Sequence, residues 1–473
     1  MADQSGTTQL VVIGAGPGGY AAAFLAADLG MRVALVGEEE NPGGVCLYRG
    51  CIPSKALLHA ARVLTEAREA AHWGIEFQPP KIDIDKLRAW KSGVVGKLTG
   101  GLGQISKQRH VEYIRARASL VDAKTLSIET AKAERKLGFE HAILATGSFP
   151  AMLPGLPKSE RILDSTSALD IANVPKTLLV IGGGYIGLEI GTVYAALGSE
   201  VSVVEMLDGL LPGADRDLVA PLAKRVEKVF KKVMLSTKVA EMKEGKGGLR
   251  VKFEGAGTEG GEQVYEKVLV SVGRKPNSGV AGLEKTRVQK DAKGFVQIDA
   301  QRRTAEPTIY AIGDVAGEPM LAHKASHEGR TAVEAIAGHK VAFEPRAIPA
   351  VVFTDPEVAW CGLTETQAAK ENRPIKVARF PWGASGRATT LDRNDGVTKL
   401  VLDPETERVL GVGITGVGAG ELIAEGVLAV EMAALASDVA LSIHPHPTLS
   451  ETVMEAAEVF FGTATDIYRP KKS

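Results

Sequence analysis

Two cysteines, Cys46 and Cys51, lie in Gly43-Gly44-Val45-Cys46-Leu47-Tyr48-Arg49-Gly50-Cys51-Ile52-Pro53-Ser54-Lys55. A dithiol takes or gives two electrons by breaking or making one sulfur–sulfur bond. On an ideal helix, residues five apart lie on different faces, with Cα atoms beyond the roughly 7 Å limit for a disulfide. Residues 46–51 therefore cannot be one regular helix if the sulfurs bond, and Gly50 supplies backbone freedom where a distortion is needed. Pro53 suits the first turn of a new helix, continued by Ala56, Leu57, Leu58, Ala60, Ala61 and Val63. Cys51 then sits near the positive end of that helix, which favours its thiolate. The same residues also fit a pair of buried structural thiols, because free cysteine packs as a small hydrophobe. Three cysteines in 473 residues make no extracellular disulfide framework, which favours a redox pair in a reducing, cytoplasmic compartment. Cys361, in Val358-Ala359-Trp360-Cys361-Gly362, reads as a buried strand residue.

A second group lies far along the chain, in His444-Pro445-His446-Pro447-Thr448-Leu449-Ser450-Glu451. His446 oriented by Glu451 has the chemistry needed to deprotonate a thiol near neutral pH. Thr448-x-x-Glu451 also fits a capping box at the start of the last helix.

The elements that position these groups announce themselves by glycine. Residues 9–13 read as a buried parallel strand, Gly14-Ala15-Gly16-Pro17-Gly18-Gly19 as a turn, Tyr20 to Leu29 as a helix and Arg32 to Val36 as a second strand. The pattern recurs as Leu178 to Ile181, Gly182-Gly183-Gly184-Tyr185-Ile186-Gly187, Leu188 to Leu197 and Val201 to Glu205. Two such fingerprints between strand and helix point to two dinucleotides. Glu205 ends the second strand of the second unit, where a carboxylate bonds a free ribose 2′-hydroxyl and repels a 2′-phosphate, so NAD is expected rather than NADP. In the first unit Gly37 follows the strand, and Glu38 is the ribose candidate.

Ala142 to Gly147 is a further buried strand, followed by a linker marked by Pro150, Pro154, Gly155 and Pro157. Val268 to Gly273 resembles it in the second unit. Ile309 to Asp314 is another buried strand, with Asp314 past its carboxyl end, where ligands bind in such sheets. Leu321 to Ala337 reads as a helix. From about 346 the texture is α+β, with strands at 350–353, 397–402 and 409–414 and helical stretches at 419–436 and 449–460.

The composition fits a multidomain globular chain, 45% hydrophobic and 24% charged. A net charge of −1 and 5% aromatics give no support for a nucleic-acid partner. Arg469-Pro470-Lys471-Lys472 reads as a short solvated tail. No segment has the length and apolarity of a membrane span, and polar residues 1–8 resemble neither a signal peptide nor a presequence.

Over essentially the whole chain these motifs resemble the pyridine nucleotide–disulfide oxidoreductase family of flavoproteins. Gly14-x-Gly16-x-x-Gly19 is similar to that family's FAD fingerprint, Gly44-x-Cys46-x4-Cys51-x-Pro53-Ser54-Lys55 to its redox disulfide and Gly182-x-Gly184-x-x-Gly187 to its NAD fingerprint. Ala145-Thr146-Gly147 and Gly313-Asp314 are similar to its further flavin motifs, and the His446–Glu451 segment resembles the base of its lipoamide enzymes. The departures are Tyr48 and Arg49 between the cysteines and Gly37 in place of an acid.

The resemblance implies an α/β fold of two Rossmann-like dinucleotide-binding domains plus a C-terminal α+β dimerisation domain. Expected bounds are 1–150 for the FAD domain, 151–280 for the NAD domain, 281–345 for a segment completing the FAD domain and 346–473 for the interface domain. It implies oxidation of protein-bound dihydrolipoamide, with hydride passed through FAD to NAD and no metal. Cys51 would face the flavin and Cys46 the substrate. Lys55 and Glu189 would pair beside the flavin, and Asp314 would hold its ribityl chain. Thr146, Gly147, Gly273, Met320, Leu321 and Ala322 are further cofactor contacts. Implied partners are a second copy sharing its active sites, and the lipoyl domains of a 2-oxo acid dehydrogenase complex or glycine-cleavage protein. The alternatives are a reductase of glutathione or mercuric ion, which Glu205 and the lack of a C-terminal cysteine pair disfavour, and a non-catalytic subunit of a multienzyme complex.

Overall fold

Continuous apolar runs become parallel strands here because both faces of the sheet are covered. In Gly6–Ile13, Leu10, Val11 and Val12 are wholly buried; each such side chain contributes roughly 1.5–3 kcal/mol over an exposed one. The computed structural model describes residues 6–130, 133–258 and 261–468. The basic stretch 469–472 lies outside them.

Gly6–Ile13 pairs in parallel with Val33–Gly37 on one side and Glu134–Leu144 on the other. Glu112–Arg115 extends the sheet past Val33–Gly37, and Ile309–Ala311 returns from far along the chain to lie parallel to Glu134–Leu144. Thr125–Glu129 and Arg117–Asp122 add antiparallel strands. The run expected at 142–147 is thus the end of a much longer strand, which stops at Leu144 as the chain turns toward Gly147, with φ +73°.

The second sheet is all parallel, in the order Lys232–Met234, Glu200–Val204, Thr177–Ile181, Lys267–Val270, Ile162–Leu163. A three-stranded antiparallel sheet, Thr237–Gly245, Gly248–Gly255 and Glu262–Tyr265, packs beside it. Ser148–Pro150 and Arg274–Pro276 cross as an antiparallel pair between the two units. The third large sheet is antiparallel, in the order Ala350–Val352, Glu357–Gly362, Val409–Gly416, Val397–Leu402, Lys376–Pro381. Cys361 is buried in it, 1% exposed.

The helices are α1 (Pro17–Asp28), α2 (Gly44–Arg49), α3 (Cys51–Glu69), α4 (Ile84–Gln108), α5 (Tyr185–Leu197), α6 (Arg216–Val229) and α7 (Ala322–Ile336), then α8 (Glu365–Lys370), α9 (Gly386–Thr390), α10 (Ala419–Glu431), α11 (Ala436–Leu441) and α12 (Glu451–Phe461). The stretch expected as one helix over 419–436 ends at Glu431. Ala433 turns left-handed at φ +57°, and α11 starts afresh. Among the described residues no helix is long and apolar enough to cross a membrane.

Candidate active site

The two glycine turns are superimposable in logic. Gly14 and Gly182 share φ +107°. A Cβ at Gly14 would lie 2.2 Å from the Ala145 carbonyl oxygen, and one at Gly182 2.5 Å from that of Ser271. At Gly19 and Gly187 it would fall 1.8 and 2.4 Å from the carbonyl oxygens of Gly14 and Gly182. At Gly16 and Gly184 it would meet nothing within 4 Å. Protein packing therefore fixes the first and third glycines, whereas the middle one borders open space at a helix N-terminus. That is what a pyrophosphate approaching the backbone needs, so the residues fit a dinucleotide at each turn.

A cleft of about 800 Å³ runs from the first turn past the two cysteines to the second unit. Its walls include Glu38, Cys46, Cys51, Lys55, Thr146, Gly147, Tyr185, Glu189, Gly313, Asp314, Met320 and Ala322. Leu321 is not a wall residue; it is the extended N-cap of α7. Gly182, Gly184, Gly187, Glu205 and Gly273 belong to the second unit and lie outside this cleft.

The dithiol sits where α2 gives way to α3. Gly50, at φ −141° and ψ −115°, breaks the helix, and Cys51 opens α3. A Cβ on Gly50 would lie 2.9 Å from the Val45 carbonyl oxygen, so the close approach of the two helices requires glycine there. Both cysteines are free thiols and are hydrogen-bonded to each other. That bond, with burial, pushes the Cys46 thiol far up. The same bond lowers Cys51 to about 7 against the effect of burial, with help from the Lys55 ammonium. Lys55 Nζ lies 2.8 Å from Glu189 Oε2 and 4.5 Å from the centre of the Phe353 ring. Glu189, 3% exposed, also accepts from Ser54 Oγ at 3.1 Å and from the Phe353 backbone N–H at 3.0 Å.

Along the cleft, Asp314 accepts from Ser148 Oγ, and Arg274 donates to both Ser148 Oγ and the Ser148 carbonyl. Thr146 Oγ1 donates to the Asn277 carbonyl at 2.7 Å. Glu328, 1% exposed, accepts from the Gly313 N–H at 2.6 Å while paired with Arg302 and Lys324. Glu38 is exposed and pairs with Arg117 at 3.1 Å. No acid fits at Gly37, where a Cβ would lie 2.8 Å from both the Ala15 Cβ and the Tyr113 hydroxyl. Glu205 accepts from the Gly183 N–H at 2.6 Å and the Leu207 N–H at 2.8 Å, just past its strand. Arg216, which packs against the same loop at Gly209, is committed to the carbonyls of Leu210, Leu211 and Ala214.

His446 Nδ1 lies 2.9 Å from Glu451 Oε1, and the side chain is 78% exposed with no partner for Nε2 among the described residues. Glu451 Oε2 accepts from the Thr448 N–H at 2.7 Å. The expected cap from Thr448 does not form; its hydroxyl donates to the Pro445 carbonyl instead. His446 and Glu451 are not walls of the cleft that holds the cysteines. Sequence reasoning gave no role to Ser54, Phe353 and Glu328; the first two reach Glu189 across 135 and 164 residues, and Glu328 accepts from a backbone N–H 15 residues away. Tyr185, an exposed wall of the cleft whose hydroxyl is pushed up to about 12 by desolvation, had a signal in its place inside the second fingerprint.

The family model for pyridine nucleotide-disulphide oxidoreductases matches residues 8–329, and that for their dimerisation domain matches residues 348–457. A dihydrolipoyl dehydrogenase of Haemophilus influenzae is 50% identical over 466 residues, covering 98% of this chain and 97% of that protein. One of Geobacillus stearothermophilus is 45% identical over 461 residues, 97% of each. Among solved structures, LpdA from Mycobacterium tuberculosis matches with a TM-score of 0.89 at 27% identity, covering 96% of this chain and 99% of that one. The HOCl-induced flavoprotein disulfide reductase RclA from Escherichia coli, solved as a Cu(II) complex, matches at 0.85 and 25% identity, covering 97% and 100%.

Proposed function

The chain belongs to the pyridine nucleotide-disulphide oxidoreductase family, and on that premise we propose how its residues divide the work. It oxidises dihydrolipoyl groups to lipoyl groups with FAD and NAD, as a homodimer. Near full-length relatives 43–50% identical, all with this activity, set aside the glutathione, mercuric-ion and non-catalytic readings. FAD held along the cleft past Gly16 would supply a two-electron acceptor beside the dithiol, and NAD held at Gly184 would supply the final hydride acceptor.

The place of Cys51 in the first turn of α3, with the Lys55 ammonium one turn on, carries the assignment of roles. In the oxidised protein Cys46 and Cys51 are bonded. His446 takes a proton from one substrate thiol on Nε2, and the resulting thiolate attacks Cys46. The Cys46–Cys51 bond breaks and Cys51 leaves as thiolate, because the more acidic thiol is the better leaving group. The second substrate thiol attacks the substrate sulfur bound to Cys46 and closes the lipoyl disulfide, its proton passing to the departing Cys46 sulfur. Cys46, the weaker acid, takes a proton as it leaves. Lys55 supports the Cys51 thiolate, and Glu189 holds Lys55 in place.

His446 points outward from a surface apart from the cleft, which supports its serving the cysteines of the second copy. An isologous interface offers both sites the same arrangement. We assign residues 1–150 and 281–345 to FAD, 151–280 to NAD and 346–473 to the dimer. Glu38 is assigned to the adenosine ribose of FAD, Asp314 to the ribityl chain and Glu205 to the NAD ribose. The natural substrates are lipoyl domains of a 2-oxo acid dehydrogenase complex or glycine-cleavage protein, in the cytoplasm, where a dithiol stays reducible. NADH oxidation measured in parallel with lipoamide, oxidised glutathione and mercuric ion tests the substrate. Lipoamide is expected to lead by at least about a hundredfold, a gap of roughly 2.7 kcal/mol in transition-state binding. Comparable rates would overturn the assignment.

A further inference from the structure

The two histidines of His444-Pro445-His446 are held in opposite ways. His446 has one engaged ring nitrogen, whereas His444 has two. His444 Nε2 lies 2.8 Å from Glu425 Oε1 on α10, and Nδ1 lies 2.8 Å from the Ser442 carbonyl oxygen. A carbonyl oxygen and a carboxylate only accept, so the ring satisfies both contacts only by donating from each nitrogen. The side chain is 8% exposed.

Within one copy, the segment around it has little else to hold it. From 441 to 447 every residue except His444 is exposed, with Ile443 at 98%. Among the described residues, none of 443–447 makes a backbone–backbone hydrogen bond. Glu451 fixes the turn of the His446 ring and, with Thr448, ties the chain from Pro445 to Thr448 into a closed turn, but it does not fix where that turn sits against α10.

We propose that His444, the one residue of 441–447 that is not exposed, is a positioning residue. Its imidazolium, clamped between Glu425 and the Ser442 carbonyl, sets where His446 Nε2 is presented. The inference rests on reading His446 as the base. A charge-assisted bond of this kind is stronger than a neutral one, and it joins the base segment to the helix that packs on the C-terminal sheet.

The test uses the FAD-loaded dimer with nitrogen-15 in its histidines. At neutral pH the His444 signals, assigned by their loss in His444→Gln, should show both ring nitrogens protonated. His444→Gln and Glu425→Gln should each lower lipoamide kcat/KM roughly 10- to 100-fold, as for a small misplacement of a reacting group. Electron transfer from NADH to ferricyanide should be unchanged. The double variant should fall no further than His444→Gln alone, because both changes break one contact. A singly protonated His444, or full lipoamide turnover in His444→Gln, would overturn the proposal. His446→Gln is run alongside. If it keeps full turnover, the base assignment fails, and the His444 ring signals still decide the clamp.

Discussion

Lys55 and Glu189 act on Cys51 with opposite signs, so two substitutions should move one titration in opposite directions. Cys51 stands at about 7 against an ordinary 9.0. The hydrogen bond from Cys46 is the largest cause, the Lys55 ammonium lowers the pKa further, and Glu189 raises it. Lys55→Met removes the cation and leaves a nearly buried carboxylate unpaired beside the thiol. Both consequences disfavour a thiolate. The expected rise is about one pKa unit, or tenfold less thiolate at a fixed pH below the midpoint. Glu189→Gln leaves Lys55 uncompensated and should lower the midpoint by a similar amount. The readout is the long-wavelength absorption of the FAD-loaded protein after anaerobic reduction by one equivalent of dithiol, followed against pH. That band reports a Cys51 thiolate against the flavin, and Cys51→Ser should lack it. If both variants shift the midpoint the same way, or neither does, the electrostatic account of Cys51 is wrong.

Glu205→Ala should raise the ratio of NADP to NAD specificity constants roughly tenfold, by removing a carboxylate facing the 2′-phosphate; an unchanged ratio would mean Glu205 does not face the ribose. A Cys46→Ser chain mixed with a His446→Gln chain should regain lipoamide activity in the heterodimer, since one site then holds a complete set; a dead heterodimer would mean each site draws on one chain. Lys399, 1% exposed, donates to Asp215, Asp217 and Glu365 at 2.7 Å each, so Lys399→Met should cost roughly 3–5 kcal/mol in denaturant unfolding at neutral pH. Burial raises Asp215, but bonds from Lys399 and Thr366 bring it to about 2 from 3.8. This depressed value makes its contribution complete above the unfolded pKa and lost as pH falls through about 2, so the acid dependence should flatten in the variant.

The glycine turns were legible because their first and third glycines answer to packing that any such turn imposes, and because the strands around them are unbroken apolar runs. The helix α4 was not legible. Its Gly93, Gly96, Gly100 and Gly101 each cost about 1 kcal/mol relative to alanine and mask the helical pattern. The available signal was Asp83, whose side chain caps the helix by accepting from the Lys86 N–H at 3.0 Å. The antiparallel sheet over 237–265 was passed over because its strands are largely polar. At the site, the cysteines, Lys55, Glu189 and the His446–Glu451 pair stand out by motif. Phe353 and Glu328 do not, because they act through a backbone N–H or on one, and sequence carries no mark of such a contact.

Glu189 is one carboxylate that joins three parts of the chain. It sits on α5 behind the second glycine turn, holds Ser54 and Lys55 of α3, and accepts from Phe353 at the edge of the C-terminal sheet. Being nearly buried, it cannot move from these donors without a large penalty. The acidity of Cys51 is therefore tied to how the second unit sits against its neighbours. Lys399, on the C-terminal sheet, grips the same unit at Asp215 and Asp217, where α6 begins. If the two contacts share the task, Lys399→Met, a change outside the cleft, should lengthen the Lys55–Glu189 contact. Less shielded by Glu189, Lys55 would then lower the Cys51 midpoint, in the same direction as Glu189→Gln and by less. A midpoint equal to that of the unaltered protein, in a variant measurably less stable, would show that the Glu189 contacts alone hold the dithiol in its electrostatic setting.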